Sequence, residues 1–245
     1  MRANRRLALK FILYRLFLLK RYLLIALYPR YSAKKWAART TLDSFGFLHP
    51  ENDSTSKLFA EFLDKYNFET VFEIGGNCGG RLFPLAAKYP DKQFYCSDLN
   101  DKALQVGQQE AAKRLISNIE YLHFDAQNRV DLNNCKEIKN SDLVFTWATL
   151  IYIHPIYISN LLDSIVSSSC QTLVLVEQDD SDLRRLIKRG KIVGKTNWLR
   201  DYEYLIRKKC KKYRVSYELF REPCPGSMWN PGGGKAALLT FTFTR

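Results

Sequence analysis

The stretch Val71-Phe72-Glu73-Ile74-Gly75-Gly76-Asn77-Cys78-Gly79-Gly80 constrains this chain more than any other part of it. Thr70, Val71, Phe72 and Ile74 are β-branched or aromatic, which suits a strand packed on both faces. Four glycines within six residues then break the strand, and residues 81–88 read as the start of a helix. A strand, a glycine turn and a helix bring backbone close to a ligand at the carboxyl end of a parallel sheet. Glu73 stands at the strand's end, just before the turn. A dinucleotide fingerprint fits poorly, because glycine is missing at Asn77 when counted from Gly75 and at Cys78 when counted from Gly76. A phosphate-cradling loop fails as well, since no Lys-Ser or Lys-Thr pair follows.

The alternation continues downstream. Residues 93–97 read as a second strand ending at Asp98, which lies 25 residues after Glu73. That is about the spacing at which an acid meets ribose hydroxyls in nucleotide-binding sheets, and a carboxylate can accept both hydrogen bonds of a vicinal diol. A helix is expected over 101–117, a third strand over 119–124 followed by Asp125 and Ala126, and a fourth over 141–146. Then come a helix over 155–168 and a fifth strand over 172–176. Glu177, Asp179, Asp180 and Asp182 form an acidic cluster at the same sheet edge. We read it as the cap of a helix opening at Leu183 in preference to a metal site. A further helix is expected over 197–212, and strands over 213–220 and 236–243. The loop between those strands exceeds a hairpin turn, and its Met228 and Trp229 are candidates to line an acceptor pocket.

With Glu73, Gly75 and Gly79 in place, the turn resembles the first motif of the class I S-adenosylmethionine-dependent methyltransferases, an acid, any residue, then spaced glycines. The chain departs at Asn77, a residue type that also enters the left-handed region readily. The three strand-end acids Glu73, Asp98 and Asp125 extend the likeness over roughly residues 58–245. The resemblance implies a Rossmann-like α/β fold: seven strands, mostly parallel, helices on both faces, the last strand antiparallel beside the fifth. It implies S-adenosyl-L-methionine as cofactor, cradled by Gly75, Gly76, Asn77 and Gly79, with Glu73 near its amino-acid end. Asp98 and Leu99 would meet the ribose, Asp125 and Ala126 the adenine, and Thr146 and Trp147 would border the methyl donor. Residues 31–67 would precede the first strand, in position to form a lid. The segment from Asp142 to Pro155 resembles that of bacterial small-molecule and sugar-modifying members, and bears His154 as candidate base and Tyr152 beside it. A structural His154 is an equal reading, because methyl transfer can rest on positioning alone.

Charge decides which acceptors to consider. The net charge of +13 suggests a nucleic-acid partner until it is located. Residues 1–40 hold 11 Lys/Arg and no acid, leaving 27 basic against 25 acidic side chains in the other 205 residues. The methyltransferase-like part, residues 41–245, is therefore nearly neutral, and no Asn-Pro-Pro-Tyr type segment follows its fourth strand. A nucleic-acid acceptor bound through the tail and the basic residues 184–212 is the weaker alternative, and a non-catalytic cofactor-binding scaffold is another. In residues 7–28, Leu7, Phe11, Tyr14, Leu18, Tyr22 and Ile25 follow one helical face. The longest charge-free run, residues 22–29, is far short of the ~20 residues a span requires. Such a segment suits an anionic membrane interface through residues 1–30. Packing against the domain or a partner chain, and a mitochondrial presequence, stay open. We therefore expect a peripheral protein on the cytoplasmic face of the membrane, acting on a glycan or lipid-linked saccharide. Six scattered cysteines without a Cys-x-x-Cys pair argue against zinc or a disulfide framework.

Overall fold

A computed structural model describes residues 27–39, 54–179, 191–193, 197–223 and 236–245, with Leu16, Leu19 and Leu23 as further helical positions. In chain order the elements begin with α1 (Tyr31–Ala37), α2 (Ser54–Leu63), β1 (Thr70–Ile74), α3 (Leu82–Lys88), β2 (Gln93–Asp98) and α4 (Asp101–Lys113). Next come β3 (Ile119–His123), α5 (Arg129–Asn134), α6 (Lys136–Asn140), β4 (Leu143–Trp147), a 3-10 turn (Leu150–Tyr152) and α7 (Pro155–Val166). The chain closes with β5 (Thr172–Gln178), β6 (Lys191–Val193), β7 (Asn197–Leu199), α8 (Tyr202–Tyr213), β8 (Ser216–Pro223) and β9 (Ala236–Thr244).

Seven strands form one sheet in the order β3-β2-β1-β4-β5-β9-β8. The first five run parallel, and β9 inserts antiparallel between β5 and β8, as the resemblance implied. The order reverses beside β1, where β2 lies on one side and β4 on the other; such switch points open a crevice at the strands' carboxyl ends.

Side-chain alternation divides the core in two. Phe72, Ile74, Val144, Leu173, Leu175 and Phe241 face α7 and α8, packing on Leu161, Leu162, Ile165 and Ile206. Val71, Phe94, Leu143, Phe145, Val174 and Leu238 face the other way, onto Phe59, Leu63, Leu82 and Leu85 of α2 and α3. The central strands carry apolar residues on both faces because helices cover both, which reads in sequence as unbroken hydrophobic runs. Asp142 pins the amino-terminal edge, its Oδ2 accepting from Glu69 N at 2.9 Å, Thr70 N at 3.0 Å and Thr70 Oγ1 at 2.9 Å. That task explains why β4 opens at Leu143 and leaves Ser141 and Asp142 outside the strand.

One expected element is corrected. Residues 197–212 do not form a single helix: Asn197, Trp198 and Leu199 pair antiparallel with Val193, Ile192 and Lys191. The helix starts only at Tyr202, where Asp201 accepts from Tyr204 N at 2.9 Å. Aspartate one residue ahead of a helical run is a start signal, and Trp198 and Leu199 ahead of it favour extended backbone. The helix expected from Leu183, Met228 and Trp229 of the long loop, and most of residues 1–26 lie outside the described residues. No helix among the described residues is long and apolar enough to cross a membrane.

Candidate active site

The glycine turn works through backbone that other residues adopt at a cost. Gly75 and Gly79 both have φ of 74°, and Asn77 has φ of 56°. Gly75 N and Gly76 N both donate to Ser97 O, at 2.8 and 2.9 Å, tying the turn to β2. A Cβ on Gly76 would stand 2.7 Å from Glu73 Oε2 and 2.8 Å from Cys96 Sγ, so its absence makes room for the Glu73 carboxyl. The turn also presents Asn77 N to Asp98 Oδ2 at 2.9 Å, so the two strand ends are wired together.

Above the carboxyl ends of β1, β2 and β4 lies a cavity of about 280 Å³. Of the residues expected from sequence, Gly75, Asn77, Asp98, Leu99, Asp125, Ala126, Trp147 and Tyr152 line it. Gly76 and Gly79 shape the turn behind this wall, Thr146 is buried beneath it, and His154 stands outside it. Burial pushes the Asp98 carboxyl above its ordinary range, opposed by the N–H groups of Asn100 and Asn77. Asp125 Oδ1 accepts from Gln127 N at 2.9 Å, and its Oδ2 accepts from Arg30 Nη2.

Glu73 is 1% exposed, and neither carboxyl oxygen has a hydrogen-bond partner among the described residues. Arg81 Nη1 is 3.9 Å away, and the Arg81 guanidinium also lies 4.5 Å from the centre of the Trp147 ring. Burial pushes the Glu73 carboxyl up to about 7 against the pull of Arg81. Glu73 itself stands behind the cavity wall, to which its neighbours Ile74 and Gly75 and its partner Arg81 contribute.

Sequence reasoning missed what holds the loop after β4. Glu177, which we had placed in a helix-capping cluster, is buried at the end of β5. Its Oε1 accepts from Thr146 Oγ1 at 2.9 Å, Thr149 N at 3.0 Å and Leu150 N at 2.9 Å. Its Oε2 accepts from Ile151 N at 3.3 Å. Arg200, equally buried, donates to the carbonyls of Leu150, at 2.7 Å, and of Ile153. Carboxyl and guanidinium thus clamp the same turn by its N–H and C=O groups, and burial pushes the Glu177 carboxyl up to about 7 against the pull of those N–H groups. The clamped segment includes Ala148 at φ 52°, Thr149 and Tyr152, all on the cavity. A glutamate closing an unbroken hydrophobic strand was the signal available, since a charge there must find partners inside. Asp179 of the same cluster accepts from Tyr202 N and pairs with Arg221 at 2.9 Å.

His154 is the cap of α7: its Nδ1 accepts from Ile156 N at 3.3 Å, Pro155 follows, and Trp198 meets its ring edge-on at 5.3 Å. Tyr152 instead faces Trp36, their ring centres 5.0 Å apart. Trp36 and Ala33 come from α1 and complete the cavity wall. Two contacts fasten α1 there. Asn100 Nδ2 donates to the carbonyls of Trp36 and Arg39 at 3.1 and 3.0 Å, and Arg30 holds Asp125.

No protein-family model matches the chain, and no curated protein sequence does either. Solved structures do. The methyltransferase domain of bacterial CtHen1 is 14% identical, covers 78% of this chain and 97% of its own, and has a TM-score of 0.56. Magnesium protoporphyrin IX methyltransferase from Synechocystis PCC 6803, with bound SAH, is 16% identical over 86% of this chain and 93% of its own, with a TM-score of 0.55. The O-methyltransferase of a Brevibacillus brevis trans-AT PKS multienzyme, in complex with S-adenosyl-L-homocysteine, is 14% identical over 81% and 78%, with a TM-score of 0.54. At such identities the likeness concerns the fold, and the strand order, the glycine turn and the cavity all agree with it. The chain has the class I S-adenosylmethionine-dependent methyltransferase fold.

Proposed function

We propose that this chain is an S-adenosylmethionine-dependent methyltransferase whose acceptor is a small molecule, glycan or lipid-linked saccharide at the cytoplasmic membrane face. The observation that carries the reading is the meeting of Asp98, Asp125 and the Gly75–Asn77 turn on one cavity at the sheet's switch point. These groups fit the cofactor's chemistry: Asp98 for a diol, Asp125 with Gln127 N for an amino-bearing ring, and Glu73, behind the wall, for the charge of an ammonium. When bound, S-adenosyl-L-methionine would supply an electrophilic methyl group, which an acceptor nucleophile takes by in-line attack as the C–S bond breaks and S-adenosylhomocysteine leaves.

The protein's own part is positioning. The Glu177–Arg200 clamp fixes Thr149 and Tyr152 on the wall, and Trp36 and Trp147 exclude water from it. Burial raises the Tyr152 phenol, opposed by Arg39, so at neutral pH it is an O–H that orients an acceptor rather than a base. His154 acts on the site through the helix it caps. Glycan and lipid-linked acceptors are favoured by the basic amino-terminal segment and by the fourth-strand segment's likeness to sugar-modifying members.

Calorimetric titration with S-adenosylhomocysteine, beside Asp98→Ala, tests the cofactor reading. We expect micromolar binding that the variant loses; no binding by the folded wild type refutes the reading. Loss of methylation in lipid-linked saccharide pools of a deletion strain tests the acceptor. Unchanged pools, or steeply salt-dependent RNA binding by the purified protein, would displace it.

A further inference from the structure

The most unusual exposed surface belongs to the segment just ahead of α1. Leu16, Leu19, Leu23 and Leu27 are helical, and their spacings of three and four put them on one face, a different face from the stripe that Leu7, Phe11, Tyr14, Leu18, Tyr22 and Ile25 mark in the sequence. They are 56%, 54%, 45% and 69% exposed, and Tyr28 extends the patch at 61%. Leucines of the sheet and its helices are mostly buried, so this stripe is unpartnered within the chain's described residues. The first 40 residues carry 11 basic side chains and no acid. A leucine face in an acid-free, basic segment matches the surface of an anionic bilayer, which takes apolar side chains into its acyl boundary and Lys/Arg at its headgroups.

This stripe ends three residues before Arg30, which holds Asp125, and α1 follows directly with Ala33 and Trp36 on the cavity. A seven-residue helix has little stability of its own. Its closure over the cavity rests on Arg30 at one end and on Asn100 at the other. Both clasps involve the cofactor acids. Arg30 shares Asp125, and Asn100 donates its own N–H to Asp98 Oδ1 at 2.9 Å.

We propose that the leucine face docks on an anionic lipid surface and that this docking closes α1 over the cofactor cavity, so that lipid and cofactor bind cooperatively. The inference rests on the methyltransferase reading of that cavity. Lipid restrains the segment leading into Arg30, which lowers the entropy lost when the clasps form. By linkage, bound cofactor must then strengthen lipid docking by the same factor.

The test uses the full chain, S-adenosylhomocysteine, and vesicles of phosphatidylcholine with or without phosphatidylglycerol. Anionic vesicles are expected to tighten S-adenosylhomocysteine binding about 5-fold or more, and the ligand to raise vesicle partitioning equally. Leu19→Ser with Leu23→Ser should abolish partitioning while leaving ligand affinity in solution unchanged. Arg30→Ala should keep partitioning and lose the coupling. Partitioning with unchanged ligand affinity overturns the coupling and leaves the membrane reading standing. Absence of partitioning by protein that binds the ligand overturns both, as does a concentration-dependent dimer formed through the leucine face in its place. A vesicle-induced change in emission that Trp36→Phe removes, without any ligand binding, sinks the cofactor reading alone.

Discussion

Replacing Glu177 by leucine tests the account of how the post-β4 loop is held. The substitution keeps an apolar side chain of similar reach in the strand but removes the acceptor of Thr149, Leu150 and Ile151 N–H groups. Thr146 Oγ1 can rotate toward another acceptor; the backbone donors cannot. Each buried donor left without a partner costs about 1–3 kcal/mol. Two of the backbone contacts are 3.0 and 2.9 Å and the third 3.3 Å, so the first two dominate. Their sum, about 2–6 kcal/mol, is reduced because leucine no longer buries an ionisable group, and we expect a net loss of about 3 kcal/mol. That is a large part of a typical stability of about 5–15 kcal/mol. Glu177→Gln keeps Oε1 and its three donors, setting an amide only against the long Ile151 contact, and should cost about 1 kcal/mol or less. Urea unfolding of the two variants gives the comparison. Because Thr149 and Tyr152 sit on the clamped loop, Glu177→Leu should also weaken S-adenosylhomocysteine binding about tenfold, or about 1.4 kcal/mol. Equal stability of the leucine and glutamine variants would refute the clamp.

Four further outcomes are expected. Gly107→Ala should destabilise the protein by more than about 1 kcal/mol, as read by urea unfolding, although alanine favours helices. Its Cβ would lie 2.3 Å from Cys78 O and press α4 off the glycine turn, and a stabilised variant would contradict this packing. Tyr152→Phe should lower kcat about tenfold or more, whereas His154→Asn, which keeps a capping side chain, should leave kcat within about threefold; the reverse pattern would make His154 the catalytic group. Stability should fall as pH rises from about 4.5 to 7, because native Glu73, like Glu177, keeps until about 7 a proton that the unfolded chain sheds near 4.5. The share of Glu73 is about 3 kcal/mol, which Glu73→Gln should remove from the measured slope. An ammonium near Glu73 favours the ionised carboxyl, so S-adenosylhomocysteine affinity should increase between pH 6 and 8 in the wild type only.

Much of the framework was legible because it is local. The strands of the parallel sheet announce themselves as apolar runs, since helices cover both of their faces. The glycine turn follows from the left-handed backbone at Gly75, Asn77 and Gly79. A parallel sheet brings all strand ends to one edge, so acids closing successive strands, such as Asp98 and Asp125, could be assigned to one site before any coordinates. The basic amino-terminal segment was equally plain from charge alone. What the tertiary structure decided was the pairing of groups distant in sequence. Arg30 meets Asp125 across 95 positions, and Arg200 reaches Leu150 across 50. Trp36 faces Tyr152, and Glu177 turns inward to the loop after β4. Periodicity reports which side of an element is apolar; it carries no information about which partner a buried charge will find. That partner is fixed only when the sheet's order brings β4 and β5 side by side and α1 folds back over the ends of β2, β3 and β4.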